Sequence, residues 1–526
     1  MEAPSQAKSE TTNCFASVNP ATGEKIGDYG IATTSEVRGA VMIAKFAQEK
    51  WAREPISRRV TVIKRFATIL AERQDEVAAL ISAEAGKPAV EALTSEILVS
   101  LDAARFCAEH AHEALREEPL AMGNPAMLGK TARVIYEPVG VVGIIAPWNY
   151  PFSIPAVDAL AALVVGNGVV LKPSELTPAC GHKLQTLLIE AGLPAGLFQV
   201  IDGFGEVGAA LISAGVDKVV FTGSVATGKR VAAACAERLV PCVLELGGKD
   251  AMLVLEDADI DVASSAAVWG SMMNAGQTCI SVERCLVHRS IYEKFLDACV
   301  DKVRKLRVGN GAEPYTDVGP MISQRQLEIV ERQVNSAVEN GAHAVCGGHR
   351  LPELGPNFYA PTVVIGIPAD ASLWCEETFG PVLAIATFDN EAEAITRANT
   401  SEFGLSASVW TRDKSRGEKV ARQIQAGAVL VNDLLTSFGV SEAPHGGVKS
   451  SGIGRTHGIF GLREMVRPKF VSVEKLTGMK QMWWYSYTPE LREQMAGFVD
   501  LLFGRKLLTR IKGALRSTGV LFRKRL

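Results

Sequence analysis

The run Val139-Gly140-Val141-Val142-Gly143-Ile144-Ile145-Ala146-Pro147-Trp148-Asn149 is apolar and rich in Val and Ile, then turns abruptly aromatic and polar. Val and Ile spaced only by glycine suit a strand covered on both faces. Four more runs of this kind follow. Ile154 to Val165 reads as an apolar helix, Gly168 to Leu171 as a strand and Thr177 to Ala191 as a helix. Phe198 to Ile201 is strand-like and Val207 to Ala214 helical; Lys218 to Phe221 is a strand and Ala226 to Leu239 a helix; Cys242 to Leu246 is a fifth strand. Short β-branched runs alternating with helices predict a mostly parallel sheet with helices on both faces, so the fold class is α/β. Ligands of such sheets bind beyond the carboxyl ends of the strands, and the residues just after each run become the candidates for chemistry.

On the amino-terminal side, Asn19 to Glu24 is a turn cluster joining two short strands. Helical spacing runs from Ser35 to Trp51, from Ser57 to Ala83 and from Val90 to Leu115, with Val60, Ile63, Phe66 and Leu70 on one face. Gly123-Asn124-Pro125 breaks the pattern, and the strand-like Thr131 to Tyr136 makes a protruding hairpin of this region. Beyond Asp250 the chain is again mixed. Helices are predicted at Val262–Met273, Tyr292–Leu306 and Ser323–Glu339, with strands at Ser281–Val287, Val382–Phe388, Ser406–Trp410 and Ala428–Val431.

At ~100–200 residues per domain, 526 residues predict about three domains. Hydrophobic residues make up 47% and charged residues 21%, which permits a large buried core. A net charge of −3 gives no reason to expect a nucleic-acid partner. The ten cysteines are scattered without a Cys-x-x-Cys pair, and the eight histidines do not cluster with them. That argues against a zinc or other metal site and against a disulfide framework, and suits reduced thiols in the cytoplasm. Met1 to Thr12 lacks the apolar core of a signal peptide, and no run reaches the ~18 apolar residues of a spanning helix.

The strand ends carry distinctive chemistry. Pro147-Trp148-Asn149-Tyr150 follows the first strand, and the Asn149 amide is either an oxyanion donor or a turn-former. Lys172-Pro173-Ser174-Glu175 follows the second. Its Lys and Glu can reach ribose hydroxyls, or form a solvated pair. Thr222-Gly223-Ser224 follows the fourth and opens a helix, as in a phosphate cradle or a plain turn. Glu245 ends the fifth before Gly247-Gly248, and is either tied by hydrogen bonds or held as a base with a raised pKa. Further on, Asn274-Ala275-Gly276-Gln277-Thr278-Cys279-Ile280 places a cysteine between a small-residue turn and a β-prone run. Cys279 is either an inert core thiol or a nucleophile whose partners lie at the other strand ends.

Taken in order, these stretches resemble the aldehyde dehydrogenase superfamily. The resemblance also rests on Glu377-Thr378-Phe379-Gly380-Pro381 and Gly446-Gly447-Val448-Lys449, and covers roughly residues 15 to 475. It implies that Cys279 attacks an aldehyde, that Asn149 and the Cys279 backbone N–H hold the oxyanion, and that Glu245 activates water against the resulting thioester. It implies that Lys172, Glu175 and Glu377 hold the riboses of the cofactor, that Ser224 meets its pyrophosphate, that Phe379 packs near its nicotinamide, and that Trp148, Ser174 and Gly223 belong to the same cofactor-binding site. Glu175 favours NAD, with NADP the other candidate. The presence of Glu245 favours hydrolysis to a free acid over transfer to coenzyme A.

The implied architecture is a Rossmann-like NAD domain at 1–119 and 139–246 and a catalytic domain at 247–458. An oligomerisation element at 120–138 and 459–480 implies a homodimer or homotetramer. Tyr150, Ile154, Thr278, Ile280 and His445 are expected in the substrate channel, which together with Asp433 to Phe438 reads as suited to a hydrophobic or aromatic aldehyde. His445 stands where many relatives carry Phe; the imidazole either selects a polar group or bonds a backbone carbonyl. Residues 481–526 run past the usual family end. An aromatic cluster at 482–487 precedes an apolar stripe of Leu491, Met495, Phe498, Val499, Leu502 and Phe503. A basic segment follows, with Arg505, Lys506, Arg510, Lys512, Arg516, Arg523, Lys524 and Arg525. A basic amphipathic helix of this kind suits an anionic membrane surface or a neighbouring subunit.

Overall fold

A computed structural model describes residues 13–518 except 125, 126, 128, 477–480 and 482. Arg523, Lys524 and Arg525 of the basic segment lie outside the described residues. The chain forms two compact units: residues up to Arg116 with Tyr136–Pro468, and Glu117–Ile135 with Lys469 onward.

In the larger unit, β1 (Cys14–Val18) and β2 (Lys25–Gly30) pair antiparallel across the Asn19–Glu24 turn, as the sequence predicts. Helix Thr34–Trp51 follows. Its Thr33 cap accepts from the Glu36 N–H while the Glu36 carboxylate accepts from the Thr33 N–H. The single helix expected over Ser57–Ala83 is two, Ile56–Glu72 and Gln74–Ala85, because the chain turns at Arg73. The long helix expected over Val90–Leu115 contains a π-helical segment, Ala92–Ile97, before it settles into Leu98–Ala114. Strands β3 (Glu118–Leu120) and β4 (Lys130–Pro138) form the predicted hairpin.

Strands β5 (Val141–Ile145), β6 (Gly168–Lys172), β7 (Phe198–Val200), β8 (Lys218–Thr222) and β9 (Cys242–Glu245) make the first sheet, all parallel. The order is β9-β8-β5-β6-β7, so the winding reverses between β5 and β8 and opens a crevice there. The second sheet comprises β10 (Asp250–Val254), β11 (Val282–His288), β12 (His343–Cys346), β13 (Thr362–Ile365), β14 (Val382–Phe388), β15 (Ser406–Trp410) and β16 (Ala428–Val431). It is parallel except for β12, which pairs antiparallel at one edge. The strands at β12 and β13 were not anticipated; each is four residues long, too short to show alternation. Residues Gly452–Ile453 form β17, which returns to the first sheet and pairs antiparallel with Glu245 and Leu244. β18 (Val466–Glu474) lies beside β4 in a three-stranded sheet.

In the smaller unit, helices Pro489–Phe503 and Leu507–Ser517 pack against each other at Gly497 and Gly513. A Cβ on Gly513 would come within 2.5 Å of the Gly497 carbonyl, so the crossing needs glycine. Arg516 pairs with Asp500, and the Arg510 Nε donates to the Leu501 carbonyl at 3.0 Å, so part of the expected basic face is used inside the hairpin. Among the described residues no helix is long and apolar enough to cross a membrane.

One fully buried ion pair ties the helical layer to the loop after β5. The Lys87 ammonium donates to the Glu96 carboxylate at 2.6 Å, and both side chains are inaccessible. Glu96 also accepts from the backbone N–H groups of Phe152 and Ser153 at 3.1 and 2.7 Å, and Lys87 lies 3.7 Å over the Tyr150 ring. Glu96→Ala would leave a buried ammonium and two N–H donors unpaired. It should cost on the order of 3–5 kcal/mol, read as a lowered Tm; an unchanged Tm would mean this anchor is dispensable.

Candidate active site

The loop before Cys279 is held in a strained path. Asn274, Ala275 and Gly276 all have positive φ, at 53°, 53° and 71°. A Cβ on Gly276 would lie 1.9 Å from the Gly380 carbonyl oxygen, so only glycine fits. Side-chain amides hold this path. The Gln277 Nε2 donates to the Asn274 carbonyl at 2.9 Å, and its Oε1 accepts from the Ile322 N–H at 2.8 Å. The Asn274 amide donates to the carbonyls of Asn149 and Gln277, at 3.0 and 3.1 Å, and its own N–H donates to Glu91 at 2.9 Å. The Asn149 amide donates to the Gln277 carbonyl at 3.1 Å, and the Tyr150 hydroxyl meets Thr278 Oγ1 at 2.7 Å. The turn after β5 and the cysteine loop are thus one hydrogen-bonded body.

Two cavities meet at Cys279. The first, about 430 Å³, opens at the β5/β8 switch point. Pro147, Trp148, Asn149, Glu175, Gly223 and Ser224 face it from the first sheet, and Glu377 and Phe379 from the second. The second cavity, about 170 Å³, is lined mostly by apolar side chains. Thr222, Glu245, Leu246 and Cys279 belong to both walls. The thiol and the carboxyl expected to share a reaction are therefore brought together.

In the first cavity, Ser224 caps helix Val225–Glu237 and accepts from the Thr227 N–H, which leaves the helix amino terminus facing the crevice. Trp148 and Phe379 meet edge to face, with ring centroids 5.4 Å apart. Lys172 does not line this cavity; its Nζ lies 3.3 Å from Oε2 of Glu175, which does. Ser174 does not face the cavity; its hydroxyl accepts from the Leu176 N–H at 3.2 Å and shapes its own turn. Glu377 accepts from the Gly248 N–H at 3.2 Å, and burial raises its pKa to about 8. A helix amino terminus, an acid for a ribose and two aromatic walls at a switch point fit a dinucleotide.

In the second cavity all five expected channel residues, Tyr150, Ile154, Thr278, Ile280 and His445, line the wall. The sequence reading missed Trp269, Met273, Asp158 and His457. A lone carboxylate in the apolar run Ile154–Val165 was the available signal for Asp158. His445 does not behave as a carbonyl-bonded ring: its buried Nδ1 has no partner among the described residues, and the ring packs edge-on to Phe438 at 5.1 Å. His457 packs on the same Phe438 ring, with centroids 4.7 Å apart. Burial lowers the pKa of His445 to about 3 and that of His457 to about 4, so both are neutral at pH 7.

Neither Glu245 carboxylate oxygen has a hydrogen-bond partner among the described residues. Burial first, and then the charge of Asp158, holds its pKa well above the usual carboxylate range. Burial also raises the Cys279 thiol pKa, with the neighbouring carboxyls of Glu377, Asp250 and Glu245 adding to the effect.

A nucleotide crevice and an apolar cavity that share a cysteine and an unpaired carboxyl define an NAD- or NADP-dependent dehydrogenase. Residues 6–471 match the sequence model of the Aldehyde dehydrogenase family, and the chain belongs to that family. It is 38% identical over 479 residues to a Mycolicibacterium smegmatis protein provisionally named as an NADP(+) succinate-semialdehyde dehydrogenase; this covers 90% of the chain and 92% of that protein. It is 37% identical over 490 residues to the 4,4'-diapolycopene aldehyde oxidase of a Methylomonas species, covering 93% and 91%. Among solved structures, the NAD+ complex of aldehyde dehydrogenase from Bacillus cereus superposes with a TM-score of 0.84 at 36% identity, covering 88% of this chain and 93% of that one.

The wall residues Glu377 and Phe379 are set by a buried pair. Lys249 Nζ donates to Glu283 at 2.6 Å, and Glu283 accepts from the N–H groups of Thr378 and Phe379 at 3.2 and 3.1 Å. Lys249→Met should raise the KM for the dinucleotide by on the order of tenfold or more by displacing this wall. An unchanged cofactor KM in a folded variant would show that the wall holds without the pair.

Proposed function

We propose that the chain oxidises a hydrophobic aldehyde to its carboxylic acid through a thioester on Cys279. The observation that carries this reading is the shared wall: Cys279 and Glu245 face both the dinucleotide crevice and a mostly apolar cavity. In this reading the first sheet and its helices are the NAD domain and the second sheet is the catalytic domain.

The residues divide the work as follows. Cys279 adds to the aldehyde carbon as a thiolate. The Asn149 amide and the Cys279 N–H hold the oxyanion, and the hydrogen-bonded loops keep Asn149 aimed before any charge forms. Bound in the crevice, NAD would supply the hydride acceptor. Glu377, Glu175 and Lys172 would hold its riboses, Ser224 with Gly223 would meet its pyrophosphate, and Trp148 with Phe379 would flank its nicotinamide. Ser174 supports the Lys172–Glu175 turn. Glu175 favours NAD, since a carboxylate suits a free 2′-hydroxyl and repels a 2′-phosphate. Glu245 then takes a proton from water, whose oxygen adds to the thioester carbonyl. The apolar lining from Ile154, Trp269, Met273 and Phe438 supports a hydrophobic or aromatic substrate. The names of the relatives point in two directions, a small acidic aldehyde and a large apolar one, and the lining favours the second.

Glu245→Gln should give a burst of about one NADH per active site and then stall, whereas Cys279→Ala should give no NADH at all. For the parent protein kcat should rise with pH through the raised Glu245 pKa, because the base must be ionised. A panel of short, aromatic and long-chain aldehydes scored by kcat/KM tests the substrate class, and a preference for succinate semialdehyde would overturn the hydrophobic reading. Full steady-state turnover by Glu245→Gln would remove that residue from the mechanism.

The surface of the smaller unit supports two further proposals. Phe470 and Val473 on β18 are largely exposed and suit pairing with a second copy in a homodimer or homotetramer. The terminal hairpin exposes Val499, Phe503, Leu507, Leu508, Ile511 and Leu515 beside Arg505, Lys506 and Lys512, and Trp484, Tyr485 and Tyr487 lie exposed upstream. Exposed apolar side chains flanked by cations suit the surface of an anionic membrane facing the cytoplasm. The ten unpaired cysteines suit that reducing compartment. Deleting residues 481–526 should abolish sedimentation with vesicles containing phosphatidylserine and leave kcat on a soluble aldehyde unchanged; vesicle binding that persists after the deletion excludes the hairpin.

A further inference from the structure

An imidazole is a costly side chain at position 445. His445 is 4% exposed and lines the apolar cavity that contains Cys279 and Glu245. No described residue hydrogen-bonds its buried Nδ1. A polar atom in that state has lost its water and gained no partner, whereas a phenyl ring would fill the same space without the penalty. The ring is nonetheless firmly held. The His445 N–H donates to the Thr456 carbonyl at 2.9 Å, and the Thr456 N–H donates back to the His445 carbonyl at 2.9 Å, which fixes the backbone. Phe438 meets the imidazole edge to face with centroids 5.1 Å apart, and His457 lies against it at 5.5 Å. Packing thus orients a hydrogen-bonding ring and leaves a nitrogen free for a ligand.

Most hydroxyls on the cavity wall are already engaged. Tyr150 meets Thr278 at 2.7 Å, and Thr456 Oγ1 meets the His457 Nδ1 at 3.0 Å. Thr94 and Ser95 donate to the carbonyls of Val90 and Glu91, at 2.8 and 2.6 Å. The charges around His445 then decide what the ring can accept as a partner. Burial first, and then His457 and Arg455, hold its pKa near 3, so it is a neutral ring with one donor and one acceptor. Glu245 and Asp158 share the wall and disfavour a carboxylate. The Arg455 guanidinium does not offset them for a ligand, because it donates to the carbonyls of Gly447 and Gly454 at 2.9 and 2.6 Å. A hydroxyl both donates and accepts, so it suits the imidazole whichever nitrogen carries the proton.

We propose that His445 is a specificity-determining residue that hydrogen-bonds a hydroxyl group on the body of an otherwise apolar aldehyde. The proposal rests on the reading of this cavity as the aldehyde site, and it narrows the substrate class to hydroxylated aromatic or aliphatic aldehydes.

Matched aldehydes oxidised by the full chain with NAD test it: benzaldehyde against its meta- and para-hydroxy forms, and hexanal against its terminal hydroxy form. The parent protein should favour a hydroxylated member by on the order of tenfold in kcat/KM. His445→Phe should bring that ratio close to one through loss on the hydroxylated member, and His445→Asn should keep part of it, because an amide still hydrogen-bonds. Ratios near one in every pair for the parent protein, or an undiminished ratio in folded His445→Phe, overturn the proposal. So does a stronger preference for para-carboxybenzaldehyde. The same pairs titrated into Cys279→Ala read binding without the reaction. Tighter binding of a hydroxylated member, lost when His445→Phe or His445→Asn is added, supports the role of His445 independently of turnover; equal binding in all pairs overturns it. Failure of the parent protein to oxidise any of these aldehydes would sink the dehydrogenase reading instead, and the titrations would still decide the role of His445.

Discussion

The buried pair of Lys249 and Glu283 is the constraint on which the catalytic geometry depends. Two charges taken out of water cost several kcal/mol each, and their attraction repays this only when every remaining donor and acceptor is used. Here they are. Lys249 Nζ also donates to Thr378 Oγ1 at 3.0 Å, and Glu283 gathers two backbone N–H groups besides the ammonium. Satisfying Glu283 fixes Thr378 and Phe379, and holds Phe379 at φ 54°, where a side chain of its size is rarely found. That conformation turns the Phe379 ring toward Trp148 and presents the Glu377 carboxyl to Gly248. One wall of the nucleotide crevice, built from the second sheet, is therefore positioned by electrostatics inside that sheet. The other wall needs no such device, because it follows from the strand order of the first sheet.

The same division explains what could be read from the sequence. Residues at the ends of β5, β6, β8 and β9 were legible because a parallel sheet gathers its strand ends on one side, whatever the side-chain contacts. Trp148, Asn149, Gly223, Ser224 and Glu245 all fall at the crevice by topology alone. Ser174 shows the limit: it sits at the right strand end, yet its hydroxyl turns back on its own loop, a rotamer choice that no spacing encodes. Glu283 was invisible for a different reason. It lies within a strand-like run where alternation reads it as an outward charge, and only the three-dimensional approach of Lys249 makes its burial tolerable. The π-helical turn at Ala92–Ile97 was equally hidden, since one extra residue in a helical repeat leaves the apolar pattern almost intact. That turn carries Ser95 and Glu96, so its irregularity bears directly on the cavity and on the Lys87 anchor.

The electrostatics of the site follow from its dryness. Glu245, Glu377, Asp158 and the Cys279 thiol all have raised pKa values, and His445 and His457 have lowered ones. Burial is the largest cause in each, so the resting site favours the neutral form of every group. A neutral site receives an apolar aldehyde at little desolvation cost. The same burial makes each charge that the reaction must create expensive, and strengthens every interaction that stabilises it. The Asn149 amide and the loop around Cys279 are held by hydrogen bonds among themselves, so they need no reorganisation when an oxyanion forms.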